Sequence, residues 1–157
     1  MSSEGVPSLH EWMGGEEKIR LLFQEFYRRV ACDALIGPVF TSMDEEHARK
    51  VANFVGGVFG GPANYTAAGG SHAAMIAHHL GRQLTREQRV RWVELLVETA
   101  DHVGLPEDPE FRAAFVGYIE WGSRLAMLNS AEGVPVPAAD LPMPRWSWGP
   151  PGGPWQG

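Results

Sequence analysis

The first long segment of the chain carries an apolar stripe with helical spacing. In "GGEEKIRLLFQEFYRRVA" the apolar side chains recur at intervals of three and four residues, so they share one face of a helix. That face consists of Ile19, Leu22, Phe23, Phe26, Tyr27 and Val30. A stripe of this length has to be buried along the whole helix, and no segment before residue 130 alternates with the period of a strand. The sequence therefore predicts an all-α domain.

Three further long helices are predicted from their start and stop signals. "SMDEEHARKVANFVGGVF" begins with a Ser42 cap and an acidic first turn, whereas the "GGPANYTAAGG" that follows it has the composition of an irregular loop. Thr85 and Gln88 form a capping-box pattern that opens a helix ended by Gly104, and the last helix follows "LPEDPEF". The predicted inner faces of these helices are Met43, His47, Val51, Phe54, Val55 and Val58; Trp92, Leu95, Leu96, Thr99 and Val103; and Phe111, Phe115, Tyr118, Ile119, Gly122, Leu125 and Ala126.

The composition changes near residue 130. A chain of 157 residues has the size of one domain, and we assign residues 1–130 to it. Residues 131–157 hold seven of the twelve prolines, five glycines and only three charged residues, which builds neither a helix nor a core. We expect an extended or disordered tail. Two alternatives stay open, since Trp146, Trp148 and Trp155 can dock on the domain or offer a partner a Pro/Trp ligand.

Charge and cysteine content exclude several classes of protein. With 13 basic and 19 acidic residues the net charge is -6, which opposes binding to a phosphate backbone or an anionic membrane, so neither is expected as a partner. Cys32 is the only cysteine, which excludes an intrachain disulfide and a CxxC motif. The N-terminus lacks a leader-like pattern and no window is apolar enough to span a membrane. We therefore expect a cytoplasmic protein.

The stretch "SHAAMIAHHLGRQLT" places three histidines in an apolar, alanine-rich setting. Neighbouring residues of a helix differ by about 100° around its axis, so only one of His78 and His79 can face the interior. His79 shares a face with Met75 and Ile76, which makes it the interior residue, and we expect His72 to cap or solvate the start of a short helix. An interior histidine is either a hydrogen-bonded core residue or a ligand, and the spacing leaves both open.

Polar rings on faces that should be core are the remaining signal. The chain has no GxSxG elbow, P-loop, GxGxxG, HExxH or paired ExxH units, so the usual hydrolase, nucleotide-binding, zinc-protease and di-iron patterns are absent from its sequence. Tyr27, His47 and Trp92 nevertheless lie on predicted inner faces. Buried groups of this kind need partners, which makes these three residues candidates for a site.

Four stretches of the chain, taken in order, form a longer sequence pattern. They are "GGEEKIRLLFQEFYRRVACDALIGPVF", the "GGP..Y" loop, a histidine followed thirteen residues later by tryptophan in "HLGRQLTREQRVRW", and the closing "YIEWGSRLAMLNS". Together they resemble the bacterial truncated haemoglobins, most closely their second group, over residues 9–130. The resemblance implies a truncated globin fold, a two-over-two helical sandwich around a haem b (iron protoporphyrin IX).

The resemblance also implies roles for particular residues. The iron-binding histidine of the family matches His79. The distal pocket positions match Tyr27, Phe40, His47, Val51, Phe54 and Trp92. Further contacts to the haem are implied for Lys50, Tyr65, Met75, His78, Arg82 and Leu84.

Three positions depart from the common second-group pattern. Phe40 stands where many members carry tyrosine, and His47 stands where those members have a small residue, so one polar group is lost and another is offered. His78 stands where arginine is frequent. Lys50 and Arg82 are then the candidates to meet the haem propionates, with plain surface charge as the alternative for each.

A five-coordinate haem iron binds a diatomic gas such as O₂, NO or CO on its open side. Tyr27, His47 and Trp92 would donate hydrogen bonds to that ligand, each contributing about 1–3 kcal/mol when well aligned. Tyr27 and Trp92 have packing roles as alternatives. For His47 the alternatives are a gate that swings outward and a ligand of the iron itself.

Several functions remain open on this basis. A binding protein would store, transport or sense O₂ or another gas, whereas an enzyme would oxidise NO to nitrate or reduce peroxide. The chain is too short to include a reductase domain, so turnover would need an external reductant. We favour reversible O₂ binding coupled to redox detoxification. A cofactor-free helical scaffold with an interacting tail is the contrasting hypothesis, and the oligomeric state, a homodimer included, stays open.

Overall fold

The computed structural model describes residues 5–41 and 45–156. In these ranges the chain forms seven α-helices and no strand, which confirms the all-α prediction. None of the helices described there is long and apolar enough to cross a membrane. The helices are α1 (Leu9–Met13), α2 (Gly15–Ala31), α3 (Glu45–Val58), α4 (Asn64–Ala67), α5 (His72–Ala77), α6 (Arg86–His102) and α7 (Pro109–Asn129), with a 3₁₀ turn at Gly37–Phe40 between α2 and α3.

Helix α2 buries the apolar stripe that the sequence predicts. Tyr27, at the edge of the stripe, is half-buried. Glu16 and Glu17 in the first turn and Arg28 and Arg29 in the last turn complement the helix dipole, which favours the helix before any packing. The fully buried members of the stripe are Ile19, Leu22, Phe23, Phe26 and Val30.

The predicted boundaries of α6 are confirmed. Thr85 Oγ1 accepts from the Gln88 N–H at 3.1 Å and Gln88 Oε1 accepts from the Thr85 N–H at 2.9 Å, which completes the capping box. Gly104, two residues beyond the helix, takes a φ of 77°, a left-handed conformation that favours glycine. The predicted Ser42 cap and the inward position of Met43 lie outside the described residues.

The loop between α3 and α5 contains a short helix that we did not predict. Helix α4 occupies the four residues between the Pro62–Ala63 pair and Ala68, and Gly69 follows with a φ of 93°. The segments on either side are irregular, as expected. Glycine and proline mark where a helix has to stop, but four permissive residues between them are enough for one helical turn.

Two packed helix pairs form the body of the domain. Helix α2 packs against α3, α6 packs against α7, and α2 also contacts α6, so one pair lies on the other. Aromatic rings are the largest side chains at the centre, where each of them buries a large apolar area. Five fully buried phenylalanines lie there: Phe23, Phe26, Phe59, Phe111 and Phe115.

The predicted inner faces are not buried uniformly. The buried members are Phe54, Val55 and Val58 of α3, Leu95, Leu96 and Thr99 of α6, and Phe111, Phe115, Tyr118 and Ile119 of α7. Apart from Val103, the members that remain half-buried line a common cavity. Those half-buried members are His47, Val51, Trp92, Gly122, Leu125 and Ala126.

The segment after α7 runs back along the domain. Residues 131–156 contain neither a helix nor a strand. Met143, Trp146 and Trp148 pack against the core, whereas Trp155 is 57% exposed. Two of the three tail tryptophans therefore contact the domain.

Asp33 links the end of α2 to α6. Its Oδ2 accepts from Arg91 Nε at 2.7 Å, and its Oδ1 accepts from the backbone N–H groups of Leu35 and Ile36 at 3.0 Å. The Arg91 guanidinium, and after it the Ile36 N–H, hold the pKa of Asp33 below its usual value. The ionised Asp33 carboxylate therefore stabilises the folded chain relative to the unfolded one.

We expect Asp33→Asn to lower the free energy of unfolding by about 1–2 kcal/mol at pH 7, because the amide keeps the size but loses the charge. Since folding depresses the pKa of Asp33, its contribution is fully present above the usual aspartate pKa of about 4 and is lost as the pH falls through the folded-state pKa. Urea unfolding between pH 7 and pH 3 should show the two proteins converging at low pH.

Glu98→Gln is the matched control. Glu98 lies 3.8 Å from the same arginine, but its side chain is 57% exposed, so we expect a change below about 0.5 kcal/mol. Equal losses in the two variants would contradict the role given to Asp33.

Candidate functional site

One cavity of about 450 Å³ opens between the two helix pairs and α5. The thirteen residues that the sequence singles out all line it, although they come from α2, α3, α5, α6 and the connecting segments. The cavity brings together Tyr27, Phe40, His47, Lys50, Val51, Phe54, Tyr65, Met75, His78, His79, Arg82, Leu84 and Trp92. Their individual roles remain predictions.

One corner of the cavity is built from polar rings. His47 on α3 meets the Tyr27 ring nearly edge-on, with 4.8 Å between ring centroids, and Phe40 lies 5.8 Å from the same ring. Trp92 on α6 packs edge-on against Phe26 at 5.4 Å. Three separate elements thus meet around the Tyr27 side chain.

Tyr27 is held as a neutral phenol beside the Trp92 indole. Burial raises the pKa of Tyr27 well above its usual value, and the N–H of the nearby Trp92 side chain opposes only part of that shift. An indole N–H can only donate, and a neutral phenol can also donate. Both side chains therefore bring a donor to this part of the cavity.

The wall beside this corner is apolar. Val51 and Phe54 of α3 line it, and the Phe54 ring meets Tyr65 edge-on at 5.2 Å. The Tyr65 hydroxyl contacts the Ser71 carbonyl oxygen at 3.5 Å, and burial raises the pKa of Tyr65. A Cβ at Gly70 would come within 2.4 Å of the Tyr65 ring, so a side chain there would displace this part of the wall.

His79 enters the cavity from the turn that follows α5. The helix ends at Ala77, and the His79 N–H donates to the Ile76 carbonyl at 2.9 Å, which continues the helical direction for a further turn. Burial is the main cause that lowers the pKa of His79, Arg82 adds to it, and the nearby Met75 backbone opposes only part of the shift. The neutral imidazole that burial favours is the form that can bind a metal.

The rim of the cavity carries the cationic side chains. His78, Lys50 and Arg82 are exposed, and Arg82 Nε donates to the His78 carbonyl. Among the residues that the structure describes, neither Lys50 nor Arg82 forms an ion pair. The rim therefore offers positive charge to an anionic group held in the cavity.

The expectation for His72 was wrong. Ser71 caps α5, because its hydroxyl accepts from the Ala74 N–H at 3.0 Å, and His72 is only 9% exposed. His72 lines the cavity and its Nδ1 lies 3.2 Å from the Pro142 carbonyl oxygen. The available signal was its spacing, seven residues before His79 and therefore on the same helical face.

Arg89 is a second residue of the cavity wall that the sequence reasoning missed. Its Nη1 donates to Glu120 Oε2 at 2.8 Å and approaches Ser123 Oγ at 3.5 Å, with only 6% of the side chain exposed. Its buried Nε has no hydrogen-bond partner among the described residues. Arg89 lies three residues before Trp92 and therefore on the same face of α6. Without knowledge of its neighbours on α7, however, a charged residue in a polar first turn is predicted to lie on the surface.

The chain is similar to a known protein family. The bacterial-like globin model matches residues 8–120. The chain belongs to the bacterial-like globins. It is 37% identical over 118 residues to the group 2 truncated hemoglobin YjbI of Bacillus subtilis, which covers 75% of this chain and 86% of that protein.

Solved structures of this globin family share the fold. The truncated oxygen-avid haemoglobin from Bacillus subtilis matches with a TM-score of 0.66 and 36% identity, over 75% of this chain and 97% of that one. A group II 2-on-2 haemoglobin from Agrobacterium tumefaciens matches with a TM-score of 0.67 over 80% of this chain and 97% of that one, and at 22% identity it supports the fold alone. The predicted truncated haemoglobin family and two-over-two sandwich are confirmed, and the family supports haem-based gas binding.

The side chains of this globin fit a haem. The cavity supplies apolar walls, a neutral His79 and exposed cations at the rim for carboxylates. The buried Arg89 Nε adds a donor on the wall that no described residue of the chain satisfies. The walls, His79 and the rim cations match the flat macrocycle, the iron and the propionates of the cofactor, in that order.

We expect His79→Ala to abolish the spectrum of a five-coordinate ferrous haem and to weaken haem binding by more than about tenfold, since removing a ligand costs more than removing its supporting partner. Visible spectra of the haemin-reconstituted, dithionite-reduced protein with and without CO measure this. His78→Ala is the matched control, because His78 is exposed and should leave the Soret band unchanged. A band that survives His79→Ala and disappears in His78→Ala would reverse the assignment.

Proposed function

We propose that this globin binds haem b through His79 and holds O₂ with high affinity for use in redox detoxification in the cytoplasm. The observation that carries the proposal is the cavity that Tyr27, Trp92 and His79 line together, with the His47 ring edge-on to Tyr27 at 4.8 Å. The similar Bacillus subtilis haemoglobin is described as oxygen-avid, which supports the proposal.

His79 would hold the iron on one side. The Met75 carbonyl, four residues earlier, would accept from one ring nitrogen and thereby fix the tautomer and the ring plane. The haem, when bound, supplies the coordination position at which a diatomic ligand binds. Burial keeps the imidazole neutral, which is the form that can act as a ligand.

Tyr27 would be the principal donor to the gas ligand. The Trp92 N–H beside it would orient the phenol and strengthen its O–H as a donor. His47, edge-on to the Tyr27 ring, supports that orientation from α3 and offers a second N–H. Phe40 closes the corner with an apolar ring, so the donors act in a desolvated space, where hydrogen bonds to a partly charged ligand are strongest.

The rim residues would hold the carboxylates of the cofactor. Lys50 and Arg82 are exposed at the mouth of the cavity, and we assign the propionates to them, with His78 beside Arg82. Val51, Phe54, Tyr65, Met75 and Leu84 would form the apolar contact with the macrocycle. This division of polar rim and apolar interior matches the two ends of an amphipathic cofactor.

Two activities are compatible with this arrangement. Oxidation of NO follows NO + O₂ + e⁻ → NO₃⁻, and reduction of peroxide follows H₂O₂ + 2e⁻ + 2H⁺ → 2H₂O. Each needs electrons from an external reductant. The donors around Tyr27 favour slow O₂ release, which gives NO time to react before O₂ leaves. A carrier or sensor without turnover is the second candidate.

We expect Tyr27→Phe to raise the O₂ dissociation rate by about 5–150-fold, which corresponds to the loss of about 1–3 kcal/mol of hydrogen bonding to the ligand. Stopped-flow displacement of O₂ by CO measures the rate. Tyr65→Phe is the control, because the Tyr65 hydroxyl lies against the Ser71 carbonyl, and it should change the rate less than about twofold. Equal rates for wild type and Tyr27→Phe would exclude Tyr27 as a donor.

Turnover separates the enzyme from the carrier. With O₂, NO and a ferredoxin–reductase pair as electron source, we expect many nitrate ions per protein molecule. One nitrate per molecule, followed by accumulation of the ferric protein, would instead support a carrier or sensor. Tyr27→Phe should lower the yield at limiting O₂, since the ligand leaves before NO arrives.

A further inference from the structure

The C-terminal segment makes directed contacts with several walls of the cavity. These contacts come from residues 142–148, "PMPRWSW", which we call the C-terminal strap. The strap has no helix or strand of its own. Its position therefore depends on the bonds that it makes with the domain.

Trp146 is the central anchor of the strap. Its backbone N–H donates to the Val58 carbonyl at the end of α3 at 2.9 Å, and its indole N–H donates to the Ala114 carbonyl of α7 at 2.9 Å. The ring packs between Tyr118 and Trp121 of α7, with centroid distances of 5.6 and 5.7 Å. Both of these rings line the cavity, so Trp146 supports its wall from outside.

Trp148 fastens the other end of the strap. Its indole N–H donates to the Pro7 carbonyl at 2.7 Å, and its ring meets Trp12 of α1 edge-on at 6.2 Å. The exposed Trp155 takes part in none of these contacts. Both indole N–H groups of the strap are thus used within the chain, which favours docking over presentation to a partner.

The strap also meets the helix that precedes His79. The Pro142 carbonyl lies 3.2 Å from Nδ1 of the buried His72, and since a carbonyl only accepts, His72 donates from Nδ1. His72 is the first residue of α5. A helix of six residues has no stability of its own, so contacts of this kind determine where it lies.

The far end of the same segment is tied to the residue that precedes the tail. Ser130 accepts from the Gln83 N–H with its carbonyl at 2.8 Å and from the Leu84 N–H with its hydroxyl at 2.9 Å. Residues 72–84, which contain His79, are therefore held at both ends by residues 130–142. A segment held at both ends loses less entropy when its centre is ordered around a ligand.

We infer that the C-terminal strap is a haem-retention element: by holding the His72 end of residues 72–84 and the α7 wall in place, it slows the loss of haem. The inference rests on the haem binding proposed above. It gives the Pro/Trp-rich segment a role inside the molecule. It also makes His72 a positioning residue that acts on His79 through α5.

The test measures haem loss in the full chain. Ferric wild-type protein and variants are mixed with an excess of an acceptor apoglobin, and the transfer rate is followed by absorbance. We expect Trp146→Ala to lose haem at least about tenfold faster, because it removes the indole hydrogen bond and the ring together. Trp155→Ala is the matched control and should stay within about twofold of wild type, since that ring is exposed.

His72→Phe tests the contact with α5 separately and covers the case in which Trp146→Ala does not fold. It keeps an aromatic ring but cannot donate to Pro142, so we expect haem loss to rise by about 2–12-fold, the effect of one hydrogen bond. Unchanged haem loss in His72→Phe and Trp146→Ala would overturn the inference.

Hydrogen exchange distinguishes this inference from the proposed function. In the apoprotein, amides of residues 72–84 should exchange faster in His72→Phe than in wild type or Trp155→Ala, while α2 and α6 stay unchanged. Faster exchange throughout the chain would mean general destabilisation and would overturn the retention role. If the wild-type chain takes up no haem, the proposed function fails. Independently of haem uptake, wild-type exchange rates at residues 72–84 in His72→Phe would overturn the role given to the strap.

Discussion

Burial of the α2 stripe is the constraint on which the rest of the structure depends. A helix with five fully buried apolar side chains needs cover along its whole length, and α3 and α6 provide it from two sides. Helix α6 in turn packs on α7. Helix α2 packs on α3 in its own pair and on α6 of the other pair, so its side chains set the distance between the two pairs. That distance determines the width of the space between them. Tyr27, at the edge of the α2 stripe, therefore lies at the border of this space.

The cavity follows from side chains that do not fill this space. Protein interiors are close-packed, and a cavity of about 450 Å³ lined by aromatic and aliphatic residues has the size of a ligand site. Tyr27, His47 and Trp92, the polar rings of the predicted inner faces, are only half-buried, and all three line it. Fully buried neighbours such as Phe54 and Leu96 complete the wall.

The site depends on pairs of residues from different helices. Tyr27 of α2 lies beside Trp92 of α6 and contacts the His47 ring of α3, and the Met75 backbone lies near the His79 ring. Buried polar groups are costly without polar neighbours, so these residues depend on one another's positions. The same principle applies farther out, where Ser130 and Pro142 hold the two ends of the segment that carries His79.

Local sequence was sufficient for the four long helices, though not for the short α4, because stripes, the Thr85–Gln88 capping box and Gly104 act over a few residues. It was also sufficient to prefer His79 over His78, since the choice depends only on the angle between neighbours in a helix. The set of residues around the cavity followed from the family resemblance. Packing alone decided that His72 contacts Pro142, that Arg89 reaches Glu120 and that Trp146 lies on α7, because each partner is more than thirty residues away in the chain. Contacts of that range leave no periodic trace in a single sequence, and they determine which polar groups are satisfied and which face the site.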